Sequence, residues 1–190
     1  MWPSEKQCGL LGSFSRSEHN YNSNDGMQSA VSGPPMWMGI HLIAFNYPVA
    51  PSEADKQHYK EWLWSVGHVL PCRYCRENFA KNMASANFND DVMQSRATFS
   101  RFCYDLHDNV NCMLGKTSPP YEDIREMYEL MRARCMTDSE KQASARSSKE
   151  LGCIRPSHTG SRGKCVLQIV PYDTDCQGLS VDRACQPGPG

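Results

Sequence analysis

The chain of 190 residues is predicted to be all-α, a bundle of four helices with a short fifth helix capping it. Three observations carry this. Apolar residues recur at spacings of three and four in successive segments. Ser, Pro and Gly punctuate the segment ends. No stretch within residues 33–135 sustains the two-residue alternation of a half-buried strand.

Residues 1–32 are rich in Ser, Asn and Gly, as in Asn20-Tyr21-Asn22-Ser23-Asn24-Asp25-Gly26, and read as a flexible arm. Gly33-Pro34-Pro35 opens the first helix, Met36 to Asn46, which Tyr47-Pro48 closes. It is apolar on nearly every face, so it is expected in the middle of the fold. The second helix begins near Ser52-Glu53-Ala54-Asp55 and runs to Leu70, with Tyr59, Trp62, Leu63, Val66, Val69 and Leu70 inward. A third starts at Cys72 and ends before Asn87. The fourth, Arg96 to Leu114, carries one stripe of Phe99, Phe102, Leu106, Val110, Met113 and Leu114, with Gly115 suited to its C-cap. After Pro119-Pro120 a fifth runs from Tyr121 to Arg134, with Ile124, Met127, Tyr128 and Met131 inward. From Asp138 the chain turns polar and then presents Cys153, Cys165, Cys176 and Cys185, with one strand-like run at Lys164 to Val170. The expected division is an arm at 1–32, a helical domain at 33–135 and an accessory cysteine-bearing tail at 136–190.

Composition excludes several functions. Net charge is −1, which gives no electrostatic case for nucleic acid or a membrane surface. The most apolar run, Met36 to Phe45, is far short of a membrane span, and Met1 to Lys6 opens no signal-peptide core. Apolar residues make up 39% and mean hydropathy is −0.60, which leaves room for loosely held ends. Ten cysteines in a helical chain without a secretory address suit a redox enzyme that makes its own disulfides.

The chemistry centres on Pro71-Cys72-Arg73-Tyr74-Cys75 at a helix start. Two thiols at this spacing can close a disulfide ring and pass two electrons. The helix N-terminus, with Arg73 and Arg76 nearby, favours thiolate on Cys72. On the first helix Trp37 and His41 share a face. On the fourth, His107 and Asn111 point along one side towards Lys116. A flat aromatic, two imidazoles, an amide and a cation beside a dithiol suit a planar cofactor bearing phosphates, and flavin adenine dinucleotide needs this mix.

These residues carry a resemblance. Trp37-x-x-x-His41 followed by Tyr47-Pro48, then Pro71-Cys72-x-x-Cys75, then His107-Asp108-Asn109-Val110-Asn111-x-x-Leu114-Gly115-Lys116 resemble the Erv/ALR family of FAD-linked sulfhydryl oxidases over residues 33–132. The cysteine-bearing tail and Gly33-Pro34-Pro35-Met36-Trp37 look most like members encoded by large DNA viruses. The resemblance implies a homodimeric thiol oxidase. Electrons would pass from protein dithiols, or a thioredoxin-like carrier, through Cys72–Cys75 to FAD and then to O2, giving H2O2. It implies Trp37, His41, Tyr47, His107, Val110, Asn111, Lys116 and Tyr128 at the flavin and no metal. For a virus it implies disulfide formation in virion proteins, in host cytoplasm or virion, the mitochondrial intermembrane space being the alternative compartment. The chain departs from the family in three places. Asp108 stands where Asn is usual and cannot donate a hydrogen bond. Tyr104 and Tyr121 stand where many members carry a Cys-x16-Cys disulfide, so an aromatic pair is expected there. Tyr128 stands where Trp is usual.

Plainer readings stand beside these. Cys72, Cys75, Cys103 and His107 also spell a zinc ligand set, which would make the chain a non-enzymatic binding module. Trp37 alone is a core residue, His41 alone a satisfied helix histidine, and Lys116 alone a cation at a helix end. Cys103 and Cys112 are expected to be small buried residues. His19, His58, His68 and His158 read as surface. Cys8 and the four tail cysteines are candidates for a shuttle that feeds Cys72–Cys75, and among the four tail cysteines three pairings are open.

Overall fold

A computed structural model describes residues 22–135, 137–139, 155–156, 163–176 and 178–186. Most of the arm, with Cys8 and His19, and the stretches holding Cys153 and His158 lie outside the described residues. The described chain is helical: α1 (Ser29–Phe45), α2 (Glu53–Val69), α3 (Arg73–Ser85), a 3-10 turn at Asp90–Met93, α4 (Arg96–Met113) and α5 (Tyr121–Glu129). A two-residue antiparallel pair, β1 (Ala133–Arg134) with β2 (Arg155–Pro156), follows in the register Ala133↔Pro156. The expected strand-like run at 164–170 has no regular secondary structure and no partner strand among the described residues.

The helix starts follow local chemistry. At α2, Ser52 accepts from the Asp55 N–H while the Asp55 carboxylate accepts from the Ser52 N–H; Ser95 and Thr98 do the same for α4. The α1 helix begins at Ser29, seven residues before the expected start, and takes Pro34 and Pro35 inside it. Its first turn is closed by the Gln28 carbonyl, which accepts from Val31 and Ser32 at 3.1 and 2.9 Å. The α5 helix ends at Glu129, five residues early, where the chain turns into β1.

The core joins Ile40 and Ala44 from α1, Tyr47 just after it, Leu63 from α2, Phe79 and Met83 from α3, Met93, and Phe99, Phe102, Cys103 and Leu106 from α4. The α1 helix packs on α4 and α5, and α3 packs on α2 and α4. Gly67 of α2 makes the α2–α3 contact possible, because a Cβ there would lie 2.1 Å from the Phe79 ring. Three expected core residues are exposed instead: Val69 at 73%, and Met113 and Leu114 at 63% each. They sit at the C-terminal ends of α2 and α4, where the helices outrun the core. The central position expected of α1 is also only partly met, since Val31, Leu42 and Ile43 face outward.

Tyr104 and Tyr121 meet edge to face, with ring centroids 5.5 Å apart. Tyr104 donates to the Pro119 carbonyl at 2.7 Å, and the Tyr121 and Ser100 hydroxyls share a bond of 2.8 Å. The Arg101 guanidinium covers both rings, at 5.7 and 5.1 Å. This aromatic pair ties the α4–α5 connection to α4 without a covalent link.

Candidate functional site

Pro71 and the extended backbone of Cys72 (φ −93°, ψ 127°) make Cys72 the N-cap of α3, which puts Cys75 on the first turn. Both are half-buried free thiols. Burial opposes ionisation of Cys72. The Cys75 thiol, the N–H groups of Cys75 and Tyr74 and the Arg76 guanidinium outweigh it and hold Cys72 below the ordinary thiol range. Burial and the neighbouring Cys72 push Cys75 up to about 11. The two expected cations are not equivalent. Arg76 acts on Cys72 while donating to the Leu70 carbonyl at 2.5 Å. Arg73 is committed to Asp25, at 2.8 Å.

The second cluster lies where α1 and α4 run side by side in opposite directions. Trp37 stacks on His107 with centroids 4.1 Å apart and planes 8° from parallel. His41 Nε2 and His107 Nδ1 share a hydrogen bond of 2.9 Å. Tyr128 of α5 closes the cluster, 5.4 Å from His41 and stacked on Phe45 at 5.1 Å. Burial, then His107, lowers His41 to about 3, and burial lowers His107 to about 4, so both imidazoles are neutral at physiological pH. Burial also raises Tyr128 to about 12. His41 Nδ1 is buried with no hydrogen-bond partner among the described residues.

At the end of α4, Gly115 takes φ +68°, its N–H bonds the Cys112 carbonyl, and the Lys116 N–H bonds the Asn111 carbonyl at 2.9 Å. This Schellman closure carries Lys116 back over the last turn of α4. The Asn111 amide donates to the Ser118 hydroxyl at 3.0 Å, and Val110 is half-buried one residue before it. Trp37, His41, His107 and Tyr128 are thus brought together, and α4 carries Val110, Asn111 and Lys116 onward from them.

Tyr47 is not brought to the cluster. It is wholly buried, donates to the Met93 carbonyl at 2.9 Å and packs on Tyr59 and Phe99, so it has no face or hydroxyl left for a ligand. Phe45 was missed, although its spacing of four from His41 and eight from Trp37 puts it on their face of α1. Cys112, expected buried, is exposed. The zinc alternative fails on geometry. Among the described residues no three His, Cys, Asp or Glu side chains converge on one point, Cys103 is sealed in the core, and His107 is bonded to His41. Two open clefts are also present. One of about 340 Å³ is lined by Phe45, Arg96, Tyr121 and Arg125 at the C-terminal end of α1, and one of about 400 Å³ separates α5 from Leu179–Val181.

The model of the Erv1 / Alr family matches residues 34–129, just over half of the 190. The chain belongs to the Erv1/Alr family. A probable FAD-linked sulfhydryl oxidase of Acanthamoeba polyphaga mimivirus is 34% identical over 93 residues, which are 49% of this chain and 65% of that protein. The mitochondrial FAD-linked sulfhydryl oxidase of Saccharomyces cerevisiae is 30% identical over 84 residues, 44% of this chain and 43% of that one. The chain therefore spans 43–65% of the length of these relatives. The crystal structure of the yeast Erv1 core aligns with a TM-score of 0.49 at 24% identity, covering 61% of this chain and 96% of that one. The span matched to the Erv1/Alr family holds Cys72, Cys75, Trp37, His41, His107, Lys116 and Tyr128.

Proposed function

We propose that this Erv1/Alr member is an FAD-dependent sulfhydryl oxidase that makes disulfides in protein substrates, with Cys72 and Cys75 as its redox pair. The observation that carries the reading is that one helical domain holds both a polarised dithiol at a helix N-terminus and a neutral aromatic–imidazole cluster with a buried nitrogen that has no partner among the described residues. The residues present fit a flavin nucleotide. His41 Nδ1 is a buried polar atom awaiting a partner, which is costly unless a ligand supplies one. Trp37 and Tyr128 offer flat surfaces, Asn111 an amide, and Lys116 a cation for the phosphates. When bound, the flavin would take the electron pair of the dithiol and pass it to O2, giving H2O2.

The chain's own sulfurs account for the exchange. A substrate thiolate attacks Cys72 Sγ of the oxidised pair, the Cys72–Cys75 bond breaks, and Cys75 takes up a proton. A second substrate thiolate attacks the mixed disulfide, forming the substrate disulfide and releasing Cys72. Two electrons have then moved from substrate to enzyme, with one proton on Cys75 and Cys72 released as the thiolate. Cys72, the less enclosed and more acidic sulfur, is the better leaving group in the second step. Cys75 keeps its proton in the reduced pair.

The outward apolar face of α1, with Leu42 and Ile43 more than a third exposed, supports a homodimer. The relatives named above support either a viral setting, with action on virion proteins in host cytoplasm, or the mitochondrial intermembrane space. No described helix is long and apolar enough to cross a membrane. Purified protein should be yellow and consume oxygen with dithiothreitol. Cys72→Ser and Cys75→Ser should each keep the colour and lose the oxygen consumption. A colourless protein, or Cys→Ser variants that turn over normally, would sink the proposal.

A further inference from the structure

The residues just before α1 do not behave as a loose arm where they are described. Gly26 forms an antiparallel bridge with Cys72. The Met27 N–H donates to the Pro71 carbonyl at 3.0 Å, and the Arg73 N–H donates to the Asp25 carbonyl at 3.1 Å. That second bond satisfies one of the unpartnered amides at the start of α3. The Asp25 carboxylate pairs with Arg73 at 2.8 Å and also accepts from the Ser23 hydroxyl at 2.9 Å, so the segment is shaped on both sides of the bridge. Gly26 is required twice over. Its φ is +94°, and a Cβ there would lie 1.8 Å from the Pro71 carbonyl oxygen. The same segment runs directly into α1, which carries Trp37 and His41. Since α1 packs on α4 and α5 while α3 packs on α2 and α4, these few residues link the cluster helix directly to the dithiol turn.

We propose that Asp25-Gly26-Met27 is a positioning strap for the redox pair, pinning the backbone of Pro71–Arg73 from one side and so fixing the Cys72 turn against α1, with Gly26 as the residue that permits the approach. The inference rests on reading Cys72–Cys75 as the exchanging dithiol. The strap occupies the backbone edge of Cys72, and Tyr74 on the first turn of α3 is exposed. The N–H groups of Tyr74 and Cys75 that stabilise the Cys72 thiolate depend on the turn staying closed. The ionisable groups around that turn are Tyr74, Cys75, Arg76 and Glu77 on α3 and the Asp25–Arg73 pair shared with the strap, Glu77 lying 3.6 Å from Arg73.

The test is the pH profile of Cys72 alkylation by iodoacetamide in the reduced full-length chain, read by peptide mass spectrometry. Gly26→Ala should move the midpoint up by about half a unit, or ~threefold less thiolate at neutral pH. Met27→Pro, which deletes the donor to Pro71 without adding a Cβ at residue 26, should move it the same way. Helical circular dichroism should be unchanged, because the strap lies outside the core. A midpoint that stays with the parent in either folded variant overturns the proposal. So does loss of helicity in both, since the segment would then belong to the folding core. The readout needs neither flavin nor oxygen, so a chain that binds no flavin sinks the oxidase reading and leaves this result standing.

Discussion

Lowering the pH from 6.5 to 5 should destabilise the domain through His41 and His107. Burial, more than any ion pair, holds them at about 3 and about 4 in the folded chain, against 6.5 for an ordinary histidine. The unfolded chain therefore binds the extra protons. The stability is fully present above about pH 6.5, falls as pH drops below it, and stops falling only near the folded values. Each histidine contributes a slope approaching 1.36 kcal/mol per pH unit, hence roughly 2 kcal/mol by pH 5. The two share one hydrogen bond and His107 is partly open, so about 4 kcal/mol is a ceiling and ~2–3 kcal/mol the working value. Against a total of roughly 5–15 kcal/mol this is a large fraction. Urea titrations at pH 7.5, 6.5, 5.5 and 5 should show the midpoint falling by about 1–2 M. Ordinary carboxylates titrate near pH 4, so this window belongs to the histidines. His41→Phe, which keeps a flat ring beside Phe45 and Tyr128, should lose about half of the slope. A flat midpoint between pH 6.5 and 5, or an undiminished slope in His41→Phe, would refute the reasoning.

Two further outcomes test the packing and the tail. Gly67→Ala should destabilise the domain by ~1–2 kcal/mol, since overpacking against the buried Phe79 ring outweighs the gain in helix propensity, and Phe79→Leu in the same chain should recover part of it; thermal unfolding decides, and an unchanged midpoint for Gly67→Ala would count against the contact. Deleting residues 136–190 should slow oxidation of a protein dithiol while leaving dithiothreitol turnover intact if the tail cysteines shuttle electrons; equal rates with the protein substrate would remove the tail from the pathway.

The helices were legible because their apolar residues recur at helical spacing, and Ser52 announced the start of α2. The pattern marks a face, however, and says nothing about how long the facing partner is. Val69, Met113 and Leu114 continue their stripes past the last core layer and end in solvent. For α1 the difficulty was different. A helix apolar all round fits either the centre of a fold or a surface waiting for a second copy, and hydropathy alone cannot separate the two. The structure divides its circumference into a core face at Ile40 and Ala44, a cluster face at Trp37, His41 and Phe45, and an outward face at Leu42 and Ile43.

The candidate site was legible where motif residues sit on regular helix, because fixed spacing puts Trp37 with His41 and His107 with Asn111 whatever the surroundings. It was not legible at Tyr47, which follows the helix end. There the chain direction, set by Asn46 closing α1 and by the Arg96 guanidinium donating to the Tyr47 carbonyl at 2.6 Å, sends the ring into the core. The strap was not legible for a related reason. Ser, Asn, Asp and Gly in a row spell loop composition equally well in solvent or pressed against another strand, and a bridge between residues 26 and 72 leaves no periodic trace. The dithiol shows most clearly what position adds. Cys72 and Cys75 are three residues apart with the same arginines around them, yet one is held acidic and the other is pushed up to about 11. The difference arises because Cys72 stands at the N-cap, where the Cys75 thiol, the N–H groups of Cys75 and Tyr74 and Arg76 outweigh its burial, while at Cys75, on the first turn, burial and Cys72 outweigh its own N–H and Arg76. A reactive sulfur and a proton-holding one therefore follow from where α3 begins, and the strap bonds to that starting turn.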